Sequence, residues 1–280
     1  YSFSEIKELE KFNLKYYYKI SNPISKENEV LRPSLLPGLY KNLTLNVRRG
    51  AETVTLFEHG KIFNEFGERK TFATIMYGRV WQEWWKWTEQ KINPKYDFYF
   101  GGGIVKTILP TDEFVISENL NPLSYYHLGK VAAVVYKGKV IGQFGILRPS
   151  VTEDIEDNIF YFEIDLEPVE EKVISKKSFI LQNKFPAVKR DISITADKNL
   201  QFSKIEEVIK NIMKTGKILK EYLLFSVYAD KDKLGDNKIS YSFRLSYKND
   251  DKTLTDEEVN SDIKILLQKL DAELGIKLRQ

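Results

Sequence analysis

Cysteine is absent from the 280 residues, and histidine occurs only twice, at His59 and His127. Disulfides, thiolate metal centres and thiol nucleophiles are therefore ruled out, and any His-dependent triad or metal cluster has to be built from those two side chains. Long apolar runs are missing too. No stretch approaches the roughly 20 residues that span a bilayer, and the first residues lack a basic region followed by an apolar core. No membrane partner is expected, and a cytoplasmic location suits a cysteine-free composition. An excess of one charge is also lacking. With 43 basic and 40 acidic residues the net charge is only +3, too balanced to announce a nucleic-acid binder. Any RNA grip would rest on stacked bases and base-edge contacts, with moderate salt sensitivity.

The chain has enough apolar material, 42% of its residues, to bury two cores. Two domains are expected, 1–183 and 184–280, joined through the charged stretch from Glu170 to Lys184. Side chains alternate along a strand with period two, and the second domain carries that period repeatedly. Ile192 and Ile194 fall opposite Asp191, Ser193 and Thr195. Tyr241, Phe243, Leu245 and Tyr247 fall opposite Ser240, Ser242, Arg244 and Ser246. Ile276 and Leu278 oppose Lys277 and Arg279. For the segment between, strict alternation sends Leu223, Phe225 and Val227 inward and Tyr222, Leu224, Ser226 and Tyr228 outward.

Two amphipathic helices separate these strands. Ser203 with Glu206 and Thr255 with Glu258 stand at capping-box spacing. Ile205, Val208, Ile209 and Ile212 recur at helical spacing in the first helix, and Val259, Ile263, Leu266, Leu267, Leu270 and Leu274 in the second. The order β-α-β-β-α-β is the ferredoxin-like plan. Both helices are needed on the apolar side, so the hydroxyl-rich side stays open. It admits two readings, a platform for unpaired RNA bases or a surface for another protein domain.

The first domain reads as mixed α and β with antiparallel strands. Tyr16 to Ile20, Val54 to Phe57, Thr71 to Tyr77, Val131 to Tyr136, Val140 to Leu147 and Phe160 to Asp165 are strand-like, with a tight hairpin at Lys137-Gly138-Lys139. A helix is expected after Pro37-Gly38, with Leu39, Leu43 and Val47 on one face. Trp81, Trp84, Trp85 and Trp87 form the densest aromatic cluster, read as a core or interface anchor in preference to an RNA-stacking surface. Catalytic features are weak. Glu58 and His59 are strand neighbours and point to opposite faces, and His127 with Gly129 reads as a structural turn. Gly101-Gly102-Gly103 is followed by neither Lys-Ser/Thr nor a third glycine at Lys106, and reads as a flexible helix entry.

Three separated segments in order resemble the ferredoxin-fold anticodon-binding module that ends the bacterial phenylalanyl-tRNA synthetase β subunit. They are Lys184-Phe185-Pro186-Ala187-Val188-Lys189-Arg190-Asp191, Leu224-Phe225-Ser226-Val227-Tyr228 and Thr253-Leu254-Thr255-Asp256-Glu257-Glu258-Val259-Asn260. Upstream, Asn22-Pro23, the run from Val30 to Leu39, Leu56-Phe57-Glu58, Ile141-Gly142 with Gly145 and Phe162-Glu163 resemble the same family's degenerate class II-like module. The resemblance implies an α+β protein: an antiparallel-sheet class II synthetase-like module followed by a ferredoxin-like βαββαβ domain. It also implies an (αβ)2 enzyme that charges tRNA(Phe), in which the α subunit holds ATP and magnesium and performs the chemistry. This chain would then be non-catalytic, a scaffold for the α subunit and a second β subunit and a binder of the anticodon stem-loop. Its alternative is a pure assembly module without RNA contact. Tyr1-Ser2-Phe3 resembles the middle of a family motif, so the chain reads as a C-terminal portion whose editing domain lies upstream.

The residues assigned to RNA binding are Tyr228 first and then Ser226, both on the matched strand, followed by Ser242 and Arg244 on the outward side of the adjacent strand. Where the family commonly has an aspartate two residues before the tyrosine, Ser226 stands here, with a shorter, uncharged side chain. Leu128 replaces a common proline between His127 and Gly129, and Gly102 stands where the family tends to have lysine. No arginine lies on the Leu56-Phe57-Glu58 strand, and Arg32 and Arg148 are read as interface or surface residues and not as nucleotide ligands.

Overall fold

A computed structural model describes residues 2–80, 94–109, 114–118, 121–152, 155–169, 185–216, 218–230, 234–235 and 237–279. The chain divides into two compact units, Tyr1–Lys177 and Ser178–Gln280. The expected joint at Glu170 to Lys184 and the tryptophan cluster from Trp81 to Trp87 lie outside the described residues.

The first unit opens with β1 (Phe3–Ser4), α1 (Ile6–Lys11), β2 (Val30–Leu31) and α2 (Leu36–Arg48). It continues through β3 (Thr53–Asn64), β4 (Gly67–Gly78), α3 (Phe98–Ile108), β5 (Phe114–Glu118), β6 (Tyr126–Tyr136), β7 (Lys139–Leu147) and β8 (Ile159–Asp165). Six strands form one antiparallel sheet in the order β3-β4-β8-β7-β6-β5. Each face has its own core. On one side Leu36, Leu39 and Leu43 of α2 meet Val54, Ile75 and Tyr161. On the other, Val105 of α3 joins Met76, Phe144, Phe160 and Phe162. Because β8 is covered on both sides, its residues from Ile159 to Phe162 are all buried and read as a continuous apolar run.

Three sequence expectations for this unit change. Tyr16 to Ile20 makes only an isolated antiparallel bridge, Lys19 opposite Val30, because its tyrosines have no sheet face to fill and Tyr17 and Tyr18 stay exposed. The helix near Pro37 begins at Leu36 and takes Pro37 into its first turn, where a missing N–H costs nothing. The glycine triplet is no flexible entry but the middle of α3, which is capped by Asp97 accepting from the Phe100 N–H at 2.7 Å. A Cβ on Gly101 would stand 2.1 Å from the Phe160 ring, so the glycine permits close helix–sheet contact. The Lys137-Gly138 hairpin forms as expected, with positive φ at both central residues and Tyr136 opposite Lys139.

The second unit runs β9 (Val188–Asp197), α4 (Phe202–Thr215), β10 (Leu219–Tyr228), β11 (Lys238–Tyr247), α5 (Asp256–Leu274) and β12 (Lys277–Leu278). Its sheet is antiparallel in the order β10-β11-β9-β12, the ferredoxin-like arrangement. Ile205, Val208, Ile209 and Ile212 of α4 and Val259, Leu266 and Leu270 of α5 bury against Ile194, Phe243 and Leu245. Helix α5 carries the expected box, with the Thr255 side chain accepting from the Glu258 N–H and Glu258 accepting from the Thr255 N–H, and it closes at Gly275 in the left-handed region. Helix α4 lacks the expected box. It starts from Gln201 without a side-chain cap, and Glu206 instead accepts the Tyr222 hydroxyl at 2.5 Å. Among the described residues no helix is long and apolar enough to cross a membrane.

Candidate nucleic-acid interface

The open face of the second unit is set by cross-strand register. Residues directly opposite share a face, so Ser193 opposite Ser242, Asp191 opposite Arg244 and Thr195 opposite Ser240 all lie away from the helices. Strand β10 joins them only in part. Its pairing runs Tyr222 to Leu245, Leu223 to Arg244 and Leu224 to Phe243, then skips Phe225 and resumes with Ser226 opposite Ser242 and Tyr228 opposite Ser240. A bulge at Phe225 therefore changes the phase of the strand.

That bulge corrects the alternation read along β10. Tyr222 and Leu224 pack toward the helices. Leu223 and Phe225 stand on the open face, 57% and 49% exposed. Ser226 and Tyr228 occupy the expected open face, while Val227, opposite inward-facing Tyr241, is still 53% exposed at the outer strand. Only one of the two tyrosines expected on this surface, Tyr228, is there.

The site is a floor of small hydroxyls between two cation–aromatic pairs. The Ser193 and Ser242 hydroxyls bond at 2.8 Å, and Ser240 Oγ is buried with no hydrogen-bond partner. At one end the Arg279 guanidinium lies 5.2 Å from the Tyr228 ring centroid. At the other, Arg244 lies 5.5 Å from the Phe225 ring and makes two 2.8 Å hydrogen bonds to Asp191. These bonds hold the Asp191 carboxyl below its ordinary pKa. The Tyr228 hydroxyl donates to Asp230, which raises the phenol pKa and keeps it protonated. Ring faces, guanidinium planes and hydroxyls can stack bases, contact phosphate and meet base edges. The Arg244–Asp191 pair is exposed and screened by solvent, so a nucleic-acid phosphate can compete for the guanidinium.

Tyr228, Ser226, Ser242 and Arg244 thus share one surface. Phe225 and Arg279 join them and were not singled out in the sequence. Phe225 was hidden by the phase change, whereas Arg279 was legible as an outward residue of the last strand but its reach across the sheet was not.

The described residues of the first unit singled out in the sequence are engaged locally. Arg32 is committed to Glu58 at 2.6 Å and to the Lys61 carbonyl at 2.9 Å. His127 accepts a hydrogen bond from the Gly129 N–H at 3.2 Å, as a turn-forming residue does, and lies at the start of β6. Glu58 and His59 are opposite Ala73 and Phe72 respectively, on different faces. No group of three or more His, Asp or Glu side chains able to hold a metal occurs among the described residues.

Comparisons with known proteins agree with this architecture. The model for the phenylalanyl tRNA synthetase beta chain CLM domain matches residues 1–166, and that for the ferredoxin-fold anticodon binding domain matches residues 183–279. The phenylalanine–tRNA ligase beta subunit of Carboxydothermus hydrogenoformans is 32% identical over 268 residues, covering 92% of this chain and 32% of that protein. The subunits of the same name from Clostridium acetobutylicum and Bacillus subtilis are each 31% identical, covering 99% and 92% of this chain and 34% and 32% of their own lengths. The chain spans about a third of the length of the curated relatives it matches.

Proposed function

The chain belongs to the phenylalanyl-tRNA synthetase β-chain family, and from that premise we propose that its second unit binds the anticodon stem-loop of tRNA(Phe) on the open sheet face. The observation that carries the reading is the exposed surface itself. Tyr228 with Arg279 and Phe225 with Arg244 flank a floor of Ser193, Ser226 and Ser242, on the face opposite α4 and α5. Tyr228 stacks on an anticodon base, Arg244 leaves Asp191 to meet a phosphate or a base edge, and Ser226 and Ser242 contact the bases between them.

The first unit serves as a scaffold. Its two-sided antiparallel sheet supports a catalytic α subunit and a second β subunit in an (αβ)2 assembly working in the cytoplasm. ATP and magnesium are held by the α subunit, and ATP-dependent aminoacylation of tRNA(Phe) proceeds there. This chain positions the RNA and the subunits and takes no part in the bond making. The commitment of Arg32 to Glu58 supports that division.

A second reading, a pure assembly module, draws on exposed Leu223 and Phe225, which would equally suit contact with a protein. Titrating the 280-residue chain with a tRNA(Phe) anticodon stem-loop, beside a stem-loop of scrambled loop sequence, separates the two. Saturable binding that is lost with the scrambled loop supports RNA recognition, and equal or absent binding favours assembly alone.

A further inference from the structure

The bulge in β10 puts a second aromatic ring on the open face of the second unit, and neighbouring side chains hold that ring as a platform. Phe225 is skipped in the pairing with β11 and is half exposed. Its ring is covered by a flat cation, the Arg244 guanidinium, 5.5 Å from the ring centroid. The guanidinium is itself fixed, because Nε and Nη2 each donate at 2.8 Å to one oxygen of Asp191. A planar group already stacked on a solvent-facing ring marks where another planar group can lie.

Tyr228 repeats the arrangement three residues further along β10, with Arg279 beside its ring and its hydroxyl tied to Asp230. At a rise of about 3.3 Å per residue, the two positions stand about 10 Å apart on one strand. Successive bases in a stacked strand are only about 3.4 Å apart, so two neighbours in that geometry cannot fill both platforms. Between the rings β10 carries Ser226, and opposite it lies Ser242, bonded to Ser193. These side chains are too short to wall off a nucleotide that spans the gap.

Resting on the stem-loop reading above, we propose that Phe225 is a second base-stacking site, which takes a base at least two positions away in the loop from the one on Tyr228. The Arg244 guanidinium moves from the ring to a phosphate, and the base takes its place. The flat cation on the ring, and the continuity of this pair with Tyr228 on one face, argue for a nucleobase as the occupant. Every base has a π-face, so a phenyl platform grips the loop without reading its sequence. Discrimination between bases falls to the groups of the floor that can donate or accept hydrogen bonds, Ser226 and Ser242.

The test titrates the 280-residue chain with the tRNA(Phe) anticodon stem-loop and with the same stem-loop carrying one abasic nucleotide at each loop position in turn. With the unchanged protein, at least two non-adjacent abasic positions should each weaken binding by about fivefold or more. Phe225→Leu keeps an apolar side chain and removes the ring, so it should abolish the penalty at one of those positions and leave the other. Tyr228→Ala should do the converse. Phe225→Trp restores a ring and should restore the penalty, and a thermal melt accompanies each variant. If Phe225→Leu leaves every penalty unchanged while Tyr228→Ala removes one, the second platform is overturned and the reading of Tyr228 stands. Sensitive positions that are adjacent overturn the spacing. Absence of any abasic penalty removes the stem-loop reading and this inference with it.

Discussion

Arg279, just past the last strand, holds its guanidinium 5.2 Å from the ring centroid of Tyr228 on the opposite outer strand, so one cation–aromatic contact bridges the width of the second unit's sheet. The bridge is possible because the residues beneath it are small: Ser193 and Thr195 on β9, Ser240 and Ser242 on β11. A larger side chain at any of these would lift the two apart.

Tyr228→Ala is expected to weaken anticodon stem-loop binding by about 1–3 kcal/mol, roughly five- to 150-fold, with little change in the unfolding midpoint because Tyr228 lies outside the buried core. Tyr228→Phe keeps the ring and loses only the bond to Asp230, so it should retain most of the affinity. Fluorescence anisotropy beside a thermal melt checks both, and equal loss in the two variants would show that stacking is not the source.

Arg244→Gln should flatten the salt dependence. If the guanidinium neutralises one phosphate of a single-stranded loop, the slope of log affinity against log salt becomes shallower by about 0.7. Tyr228→Ala should leave that slope where it was. Titrations at several salt concentrations distinguish a phosphate contact from a base contact, and identical slopes for wild type and Arg244→Gln would remove Arg244 from the phosphate side.

Neighbouring glycines in α3 should respond with opposite signs. Gly101→Ala drives a Cβ into Phe160 and should destabilise the first unit by about 1–3 kcal/mol. Gly103→Ala meets nothing within 4 Å among the described residues and should stabilise it by about 0.5–1 kcal/mol through helix propensity. Urea unfolding of the two variants reads the difference.

Asp262 on α5 has Oδ2 buried without a partner, and desolvation raises its carboxyl pKa above the ordinary value. A raised folded-state pKa means the fold prefers the neutral acid. Below the ordinary carboxylate pKa both states are protonated and nothing is lost, and stability falls as pH rises through the shifted value. Asp262→Asn should therefore raise the melting temperature of the second unit at neutral pH, with the gain fading toward acid pH. A gain that is constant across pH would sink this account.

The parts of the fold that were legible in the sequence are those governed by one local rule at a time. Thr255 and Glu258 announced the start of α5, the isoleucines of α4 its buried face, and the alternation in β9 and β11 their two sides. Strand β10 was misread because one inserted residue, Phe225, is invisible to a period-two pattern, yet it reverses the faces of Tyr222, Leu223 and Leu224. Glu206 was assigned to a cap it does not make because its partner, Tyr222, comes from the following strand, β10. The glycine triplet looked like a flexible helix entry since the reason for Gly101, the Phe160 ring, lies far along the chain. Of the candidate interface, Tyr228 and Ser226 could be placed on the open face from the motif and Ser242 and Arg244 from the alternation of β11, whereas Arg279 needed the sheet order.

Strand β10 is the outermost of its sheet, and an outer strand with a regular rim is a template on which a second copy can add its own backbone. The skipped pairing at Phe225 interrupts that rim. The same irregularity that turns the Phe225 ring onto the open face therefore also spoils the edge for strand addition beside exposed Leu223 and Val227.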